Sequence, residues 1–251
     1  MSVTHTETIP LVDDTELRVD VGEPDGAVRG GIVVLHESRG VTERTTQIVA
    51  HLAGEGWLTV APHLYHRDDP GIDERTGEDE AADRAASAVS GESVLADSDA
   101  AFGWLAEHGV PSDRMGVLGF DLGATAALVV ASQRSLGAAV TVAAAGVSTP
   151  LAEGLPALVD VVGELTCPWL GLYGETGDPV DPQDVDRLRE AAHASNRVVD
   201  VVVYPDREHR FDADVESAGI DPTGGEPGGD SEGDVVEARS RVLNWFDAHL
   251  R

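Results

Sequence analysis

A turn of the form Gly-Phe-Asp-Leu-Gly, at residues 119–123, sets the strongest limit on how this chain folds. It follows an apolar run at 115–118, typical of a buried strand, and leads into a run of mostly small residues at 124–132, typical of a helix. Glycines on both sides of Asp121 allow neighbouring backbones to approach closely and let the central residue take a strained conformation. The pattern predicts a sharp strand–turn–helix of the nucleophile-elbow type, with Asp121 where Ser or Cys usually lies.

Apolar runs and helical patterns alternate along the rest of the chain. Strands are predicted at 17–21, 31–36, 57–61, 115–119, 138–142, 170–173 and 199–204, and helices at 42–55, 93–108, 122–133, 182–194 and 235–250. Most of the strands lack polar alternation, as in a parallel sheet that is buried on both faces. The fold class predicted is therefore α/β, with a doubly wound and mostly parallel sheet. Residues 15–21 alternate with period two and predict an antiparallel edge strand.

The length of 251 residues suits one domain, and we expect a single domain over 1–251. Two acidic segments, 66–91 and 212–234, have the composition of irregular loops. The segment 145–167 is too short for a large cap domain. Cys167 is the single cysteine, which excludes an internal disulfide, and its apolar surroundings predict a buried thiol.

The charge balance is strongly acidic. Asp and Glu number 46 against 17 basic residues, all of them Arg, giving a formal net charge of −29. Such a surface repels nucleic acid and anionic membranes, and it is tolerated where salt screens its self-repulsion. We read it as a halophilic character. We expect a cytoplasmic location for two reasons. The first residues are polar and do not resemble a signal peptide, and the apolar runs are shorter than the roughly 18 residues of a membrane helix.

Further segments carry recognisable motifs in a fixed order. They are His-Glu-Ser-Arg-Gly-Val at 36–41, Ala-Pro-His-Leu-Tyr at 61–65, Tyr-Gly through Asp178, and Tyr-Pro through His-Arg-Phe at 204–211. With the elbow they resemble the dienelactone hydrolase family over nearly the whole chain. The resemblance implies an α/β-hydrolase fold, hydrolysis of a small ester or lactone, and no cofactor. The chain departs from the family pattern at Asp121, which replaces Cys or Ser, and at His63, which replaces Asp.

The chain order nucleophile, acid, histidine identifies the candidate catalytic residues as Asp121, Asp178 and His209. Each of them follows the end of a predicted strand, where sites in open α/β sheets gather. His209 would act as general base, and Asp178 would fix its tautomer. The acid turn is one residue longer than in the family, so Glu175 and Asp181 remain possible acids.

The oxyanion hole is expected to use the backbone N–H of Leu122 and one N–H near Glu37 or Ser38. Arg84 is the best match to the substrate-binding Arg that the resemblance implies. The Glu37 carboxylate, if close to Asp121, would share a proton with it, since like charges raise one pKa. Alternatively, Glu37 caps a helix.

Two other functions stay open. Haloalkane dehalogenases and epoxide hydrolases also carry Gly-x-Asp-x-Gly, and Trp57, His63, Tyr65 and Trp169 are the candidates for their substrate ligands. A degenerate family member would bind a small molecule without turnover.

The segment with His63, His66, Asp68 and Asp69 contains metal-ligand types, but nothing in it enforces metal geometry, and no metal is predicted. We expect a small-molecule substrate, with neither nucleic acid nor membrane as partner. The sequence does not indicate the oligomeric state.

Overall fold

The computed structural model describes residues 3–11, 14–64, 90–176, 181–209 and 230–250. Its strands are β1 (Val3–Pro10), β2 (Glu16–Glu23), β3 (Gly31–Leu35), β4 (Leu58–Pro62), β5 (Met115–Phe120), β6 (Ala138–Val142), β7 (Trp169–Thr176) and β8 (Val199–Glu208). Its α-helices are α1 (Glu43–Gly54), α2 (Gly91–Glu107), α3 (Leu122–Gln133), α4 (Leu158–Val161), α5 (Pro182–Ala192) and α6 (Asp230–His249). Short 3₁₀ helices lie at Ser112–Arg114, Val162–Glu164 and His193–Ser195.

The strands form one eight-stranded sheet in the order β1-β2-β4-β3-β5-β6-β7-β8. Strands β3 to β8 pair in parallel, while β1 and β2 are antiparallel additions at one edge. The carboxyl ends of the parallel strands therefore meet at one edge of the sheet, and the turns that follow β3, β5 and β8 all lie at that edge. This confirms the predicted α/β class with a doubly wound, mostly parallel sheet.

Two apolar cores cover the two faces of the sheet. One core joins the strands to apolar residues of α2, α3 and α5, and the other joins them to α1 and α6. Helix α3 is almost wholly buried, which explains why its sequence is rich in Ala and Val rather than amphipathic. Because α3 directly follows Asp121, its burial anchors the candidate elbow in the core.

The prediction of residues 15–21 as an edge strand is wrong in one respect. Strand β2 is antiparallel, but β1 pairs along its outer side, with Val3 opposite Glu23 and Pro10 opposite Glu16. The sequence of β1 carries no apolar run because most of its residues are exposed or half-buried at the edge of the sheet. Its alternating Thr residues, which favour strands, were the available signal.

The last helix also begins earlier than predicted, at Asp230 rather than at residue 235. The five residues from 230 to 234 thus belong to α6, although their acidic and Gly-containing sequence indicated a loop. The remainder of the second acidic segment, and nearly all of the first, lie outside the described residues.

The segment 145–167 contains only α4 and a short 3₁₀ helix, so no cap domain is inserted there. Cys167 is buried, which confirms the predicted buried thiol, and burial raises the pKa of this thiol to about 12. Among the described residues, no helix has both the length and the apolar character needed to cross a membrane.

Candidate active site

Asp121 occupies a strained turn between β5 and α3. Its φ of 53° and ψ of −115° form a combination that residues with a side chain rarely adopt. The turn is held on both sides, because the Asp121 N–H donates to the carbonyl of Val142 at 3.0 Å and its own carbonyl accepts from the N–H of Thr125 at 3.0 Å. Strain of this kind persists where the surrounding structure enforces it, and it clusters at functional sites.

Gly123 brings the elbow against the end of β3. A Cβ atom at this position would lie 2.3 Å from the carbonyl oxygen of Leu35 and 2.4 Å from that of His36. Only glycine permits this approach. The first turn of α3 therefore lies directly beside the turn that carries Glu37 and Ser38.

His209 follows β8 and faces Asp121. Its side chain is buried, and its Nε2 lies 4.0 Å from Oδ1 of Asp121. Within the described part of the chain, this Nε2 has no hydrogen-bond partner. The separation is longer than a hydrogen bond, but catalytic contacts are often long when substrate is absent. The structure thus brings together the predicted elbow residue and the predicted histidine.

The end of β8 is held against the end of β7. A Cβ atom on Gly174 would lie 1.8 Å from the carbonyl oxygen of Glu208, the residue before His209. The hydroxyl of Thr176 donates to the carbonyl of Arg207 at 2.9 Å. These contacts fix the point from which the His209 ring projects.

Two of the three candidate acids have structural partners. The Glu175 carboxylate accepts the backbone N–H of Asp206 at 3.1 Å, which supports the left-handed backbone of Asp206. The Asp181 carboxylate accepts the N–H of Gln183 at 2.7 Å and caps α5. Asp178, like the candidate substrate ligand Arg84, lies outside the described residues.

Leu122 is the first residue of α3, and the N–H groups of a helix's first turn have no acceptor inside the helix. Glu37 and Ser38 are half-buried in the turn after β3. Thr42 caps α1 in a capping box with Thr45, so Glu37 is not the N-cap of that helix.

Two buried contacts lie beside this turn, and the sequence did not indicate either. The Nδ1 of His36 lies 2.7 Å from the carbonyl oxygen of Glu37, and its Nε2 accepts the N–H of Leu64 at 3.0 Å. The Nε2 of His63 lies 3.2 Å from Oδ1 of Asp20. The available signal was the position of each histidine, directly after a strand of the parallel sheet.

Asp20 is held ionised by its neighbours. Burial alone raises the pKa of this carboxyl, but the hydrogen bond and charge of His63, together with the Thr6 and Thr46 hydroxyls, outweigh burial and lower the pKa. His63 is thus a structural partner of Asp20. In the described ranges no three His, Cys, Asp or Glu side chains cluster as metal ligands; His66, Asp68 and Asp69 fall outside those ranges.

Those residues of a dehalogenase-like site that the structure describes have roles in the core or in a side-chain pair. Trp57 and Trp169 are fully buried core residues, and the indole of Trp169 donates to Thr141 at 2.9 Å. His63 is paired with Asp20, and Tyr65 lies outside the described residues. A cavity of about 240 Å³ lies between α1 and α6, but none of the candidate site residues lines it.

Comparison with known proteins identifies a family. The profile of the Dienelactone hydrolase family matches residues 17–250. A Yersinia pestis protein named "Putative carboxymethylenebutenolidase" is 30% identical over 247 residues, covering 96% of this chain and 87% of that protein. An Escherichia coli K12 protein of the same name is 31% identical over 185 residues, covering 73% of this chain and 68% of that protein.

The fold is also found among solved structures. A crystal structure described as a "Putative Dienelactone Hydrolase", from Klebsiella pneumoniae, has a TM-score of 0.78 and 27% identity, covering 98% of this chain and 99% of that chain. The family profile spans the elbow, the end of β8 and the last helix together. The chain therefore belongs to the dienelactone hydrolase family and is a hydrolase with the α/β-hydrolase fold.

Proposed function

We propose that the protein hydrolyses a small ester or lactone, with Asp121, His209 and Asp178 as its catalytic residues. The observation that carries the proposal is the meeting of a strained elbow residue with a buried histidine, whose Nε2 is 4.0 Å from the Asp121 carboxylate. The names of the relatives, which refer to a butenolide, support a lactone or an ester as the bond that is cleaved.

The attacking group in this proposal is water. A carboxylate is a weak acyl nucleophile compared with a thiolate or an activated serine, so direct attack by Asp121 is disfavoured. His209 takes one proton from the water at Nε2 while the water oxygen bonds to the substrate carbonyl carbon. The Asp121 carboxylate orients the water and stabilises the imidazolium that forms.

The resulting tetrahedral oxyanion is stabilised by the N–H of Leu122 and an N–H of the turn after β3, from Glu37 or Ser38. Its collapse breaks the bond to the alkoxide, which takes the proton back from His209. Asp178 holds the His209 tautomer, in keeping with the structural roles already taken by Glu175 and Asp181. Arg84 is the proposed ligand for a substrate carboxylate.

The Asp121 side chain decides the rate in this scheme. We expect Asp121→Cys to raise kcat/KM for a small activated ester by about tenfold or more, or about 1.4 kcal/mol of barrier, because a thiolate attacks carbonyls far better. Asp121→Asn should fall below the wild type. Initial rates in molar KCl, with folding checked by circular dichroism, provide the comparison.

The matched control is His209→Gln, made in the wild type and in Asp121→Cys, and it should abolish turnover in each. A Cys variant no faster than the Asn variant, with both folded, would favour a member of the family without catalysis. Hydroxylamine trapping separates the two routes: a hydroxamate on the peptide containing Asp121 would mean that the carboxylate itself attacks.

A further inference from the structure

His36 is buried, and both of its ring nitrogens contact the backbone of turns at the site edge of the sheet. A backbone N–H can only donate and a carbonyl can only accept. Since Leu64 donates to Nε2, that nitrogen carries a lone pair, and the ring proton lies on Nδ1 and is donated to the carbonyl of Glu37. The contacts therefore define a neutral Nδ1–H tautomer.

The Glu37 carbonyl is fixed by two donors. It accepts from the His36 ring at 2.7 Å and from the N–H of Gly40 at 3.1 Å. In a trans peptide the C=O and the following N–H point in opposite directions. By holding the Glu37 carbonyl, the His36 ring also fixes the direction of the Ser38 N–H.

The same turn lies against the elbow. The carbonyl oxygens of Leu35 and His36 occupy the space that a side chain on Gly123 would need, so the turn and the first turn of α3 are in contact. Leu64 follows β4, so the His36 ring also ties the turn after β3 to the turn after β4. The orientation of the peptide between Glu37 and Ser38 is thus fixed by its contact with the elbow on one side and by the link through His36 to the turn after β4 on the other.

We propose that His36, as its neutral Nδ1–H tautomer, is the positioning residue that aims the Ser38 N–H into the oxyanion hole beside the N–H of Leu122. His36 does not contact the reacting atoms in this role. The inference rests on the proposed hydrolase function and selects Ser38 rather than Glu37 as the second donor.

Two substitutions separate the two ring contacts. The side-chain amide of His36→Asn lies near the position of Nδ1 and still donates to the Glu37 carbonyl, whereas that of His36→Gln lies near Nε2 and serves Leu64. We expect kcat for a small ester to fall about 10- to 100-fold in His36→Gln and to recover most of that loss in His36→Asn. KM should change little in either variant, because the donor acts on the transition state.

His63→Asn is the matched control, because it also removes a buried histidine from the end of a neighbouring strand. It should lower the thermal midpoint and leave kcat within about twofold of the wild type. If kcat instead follows the thermal midpoint across all three variants, or if Asn and Gln are equally impaired, His36 has only a structural role and the proposal is overturned.

The ring tautomer is tested without turnover. Nitrogen-15 NMR of the histidine rings, with the His36 signals identified by their loss in His36→Asn, should show a protonated Nδ1 and an unprotonated Nε2 near neutral pH. A charged ring or the opposite tautomer would overturn the inference. Absence of turnover in the wild type and in Asp121→Cys alike would instead overturn the proposed hydrolysis. The NMR result would still show whether the His36 ring donates from Nδ1 to the Glu37 carbonyl.

Discussion

At the scale of single residues, the backbone of Asp121 departs from ordinary geometry. A φ of 53° with a ψ of −115° costs about 1–3 kcal/mol for a residue with a Cβ atom, and glycine escapes that cost. We therefore expect Asp121→Gly to be more stable than Asp121→Ala by about 1–2 kcal/mol. Denaturant unfolding of both variants in molar KCl measures the difference.

The sign of that difference is the test, because at ordinary helical positions a protein with Ala is more stable than one with Gly by up to about 1 kcal/mol. Gly103 supplies the reference. It lies in α2, and a Cβ atom there meets nothing within 4 Å. Gly103→Ala should stabilise the protein. If Asp121→Ala is also more stable than Asp121→Gly, the backbone at the elbow is unstrained.

The buried pair of Asp20 and His63 makes a pH-dependent contribution to stability. The pKa of Asp20 is lowered in the folded state, so its stabilisation is present above the unfolded carboxyl pKa of about 3.9 and is lost as the pH falls through the folded value. We expect Asp20→Asn to lose about 1–2 kcal/mol near pH 7. Denaturant midpoints from about pH 7 down to about pH 3 measure it.

The difference between the wild type and Asp20→Asn should shrink as the pH falls below about 4. Asp113→Asn is the control, since Asp113 is exposed, and it should change stability little at any pH. A difference for Asp20 that stays constant down to the acid end would show that its charge does not contribute.

At the scale of elements, the close approach of the parallel strands β7 and β8 at Gly174 positions His209. A methyl group there would meet the Glu208 carbonyl and push the end of β8 outward, carrying His209 with it. We expect Gly174→Ala to lose about 2–4 kcal/mol and more than tenfold in kcat/KM. Urea unfolding and ester turnover measure the two effects. Turnover retained at the wild-type level would mean that His209 does not depend on this contact.

The parallel strands and the longer helices were predictable because burial on both faces makes their apolar runs continuous. The predicted bounds of β6 and α3 agree with the structure at both ends. Strand β1 escaped prediction because a half-exposed edge strand has no such run. The first residues of α6 were not predicted because Asp, Ser and Gly, which make up most of 230–234, also favour turns and loops.

At the site, sequence order predicted that Asp121 and His209 would meet, since both follow strands whose carboxyl ends share one edge. It could not predict the contact of His36 with Leu64, which depends on how the turns after β3 and β4 pack, or the pair of His63 and Asp20, which depends on how β2 and β4 pair. The choice of Asp178 as the acid remains a prediction.

At the scale of the whole molecule, the net charge of −29 predicts that stability depends on the salt concentration. Unscreened carboxylates repel one another, and the Debye length falls from about 8 Å at 0.15 M salt to about 3 Å at 1 M. We expect the thermal midpoint to rise steeply between low and molar KCl. A midpoint that stays flat across that range would remove the halophilic interpretation.

The shape of the rise distinguishes its cause. Screening acts mainly at the lower concentrations, where the Debye length changes most. A midpoint that climbs evenly into multimolar salt, without an early rise, would instead indicate exclusion of salt from the protein surface. Differential scanning calorimetry over a series of KCl concentrations records the curve.

The strained turn at Asp121 also bears on how such an enzyme changes its chemistry over evolutionary time. Codons for Asp and Cys differ at their first two bases, so stepwise substitution between them passes through Gly or Tyr. Gly is the residue that the turn accommodates with least strain, although it carries no group to attack a substrate. A lineage can therefore cross from one elbow residue to the other through an inactive but well-folded intermediate, which keeps β5, α3 and the proposed oxyanion donors in place for the side chain that follows.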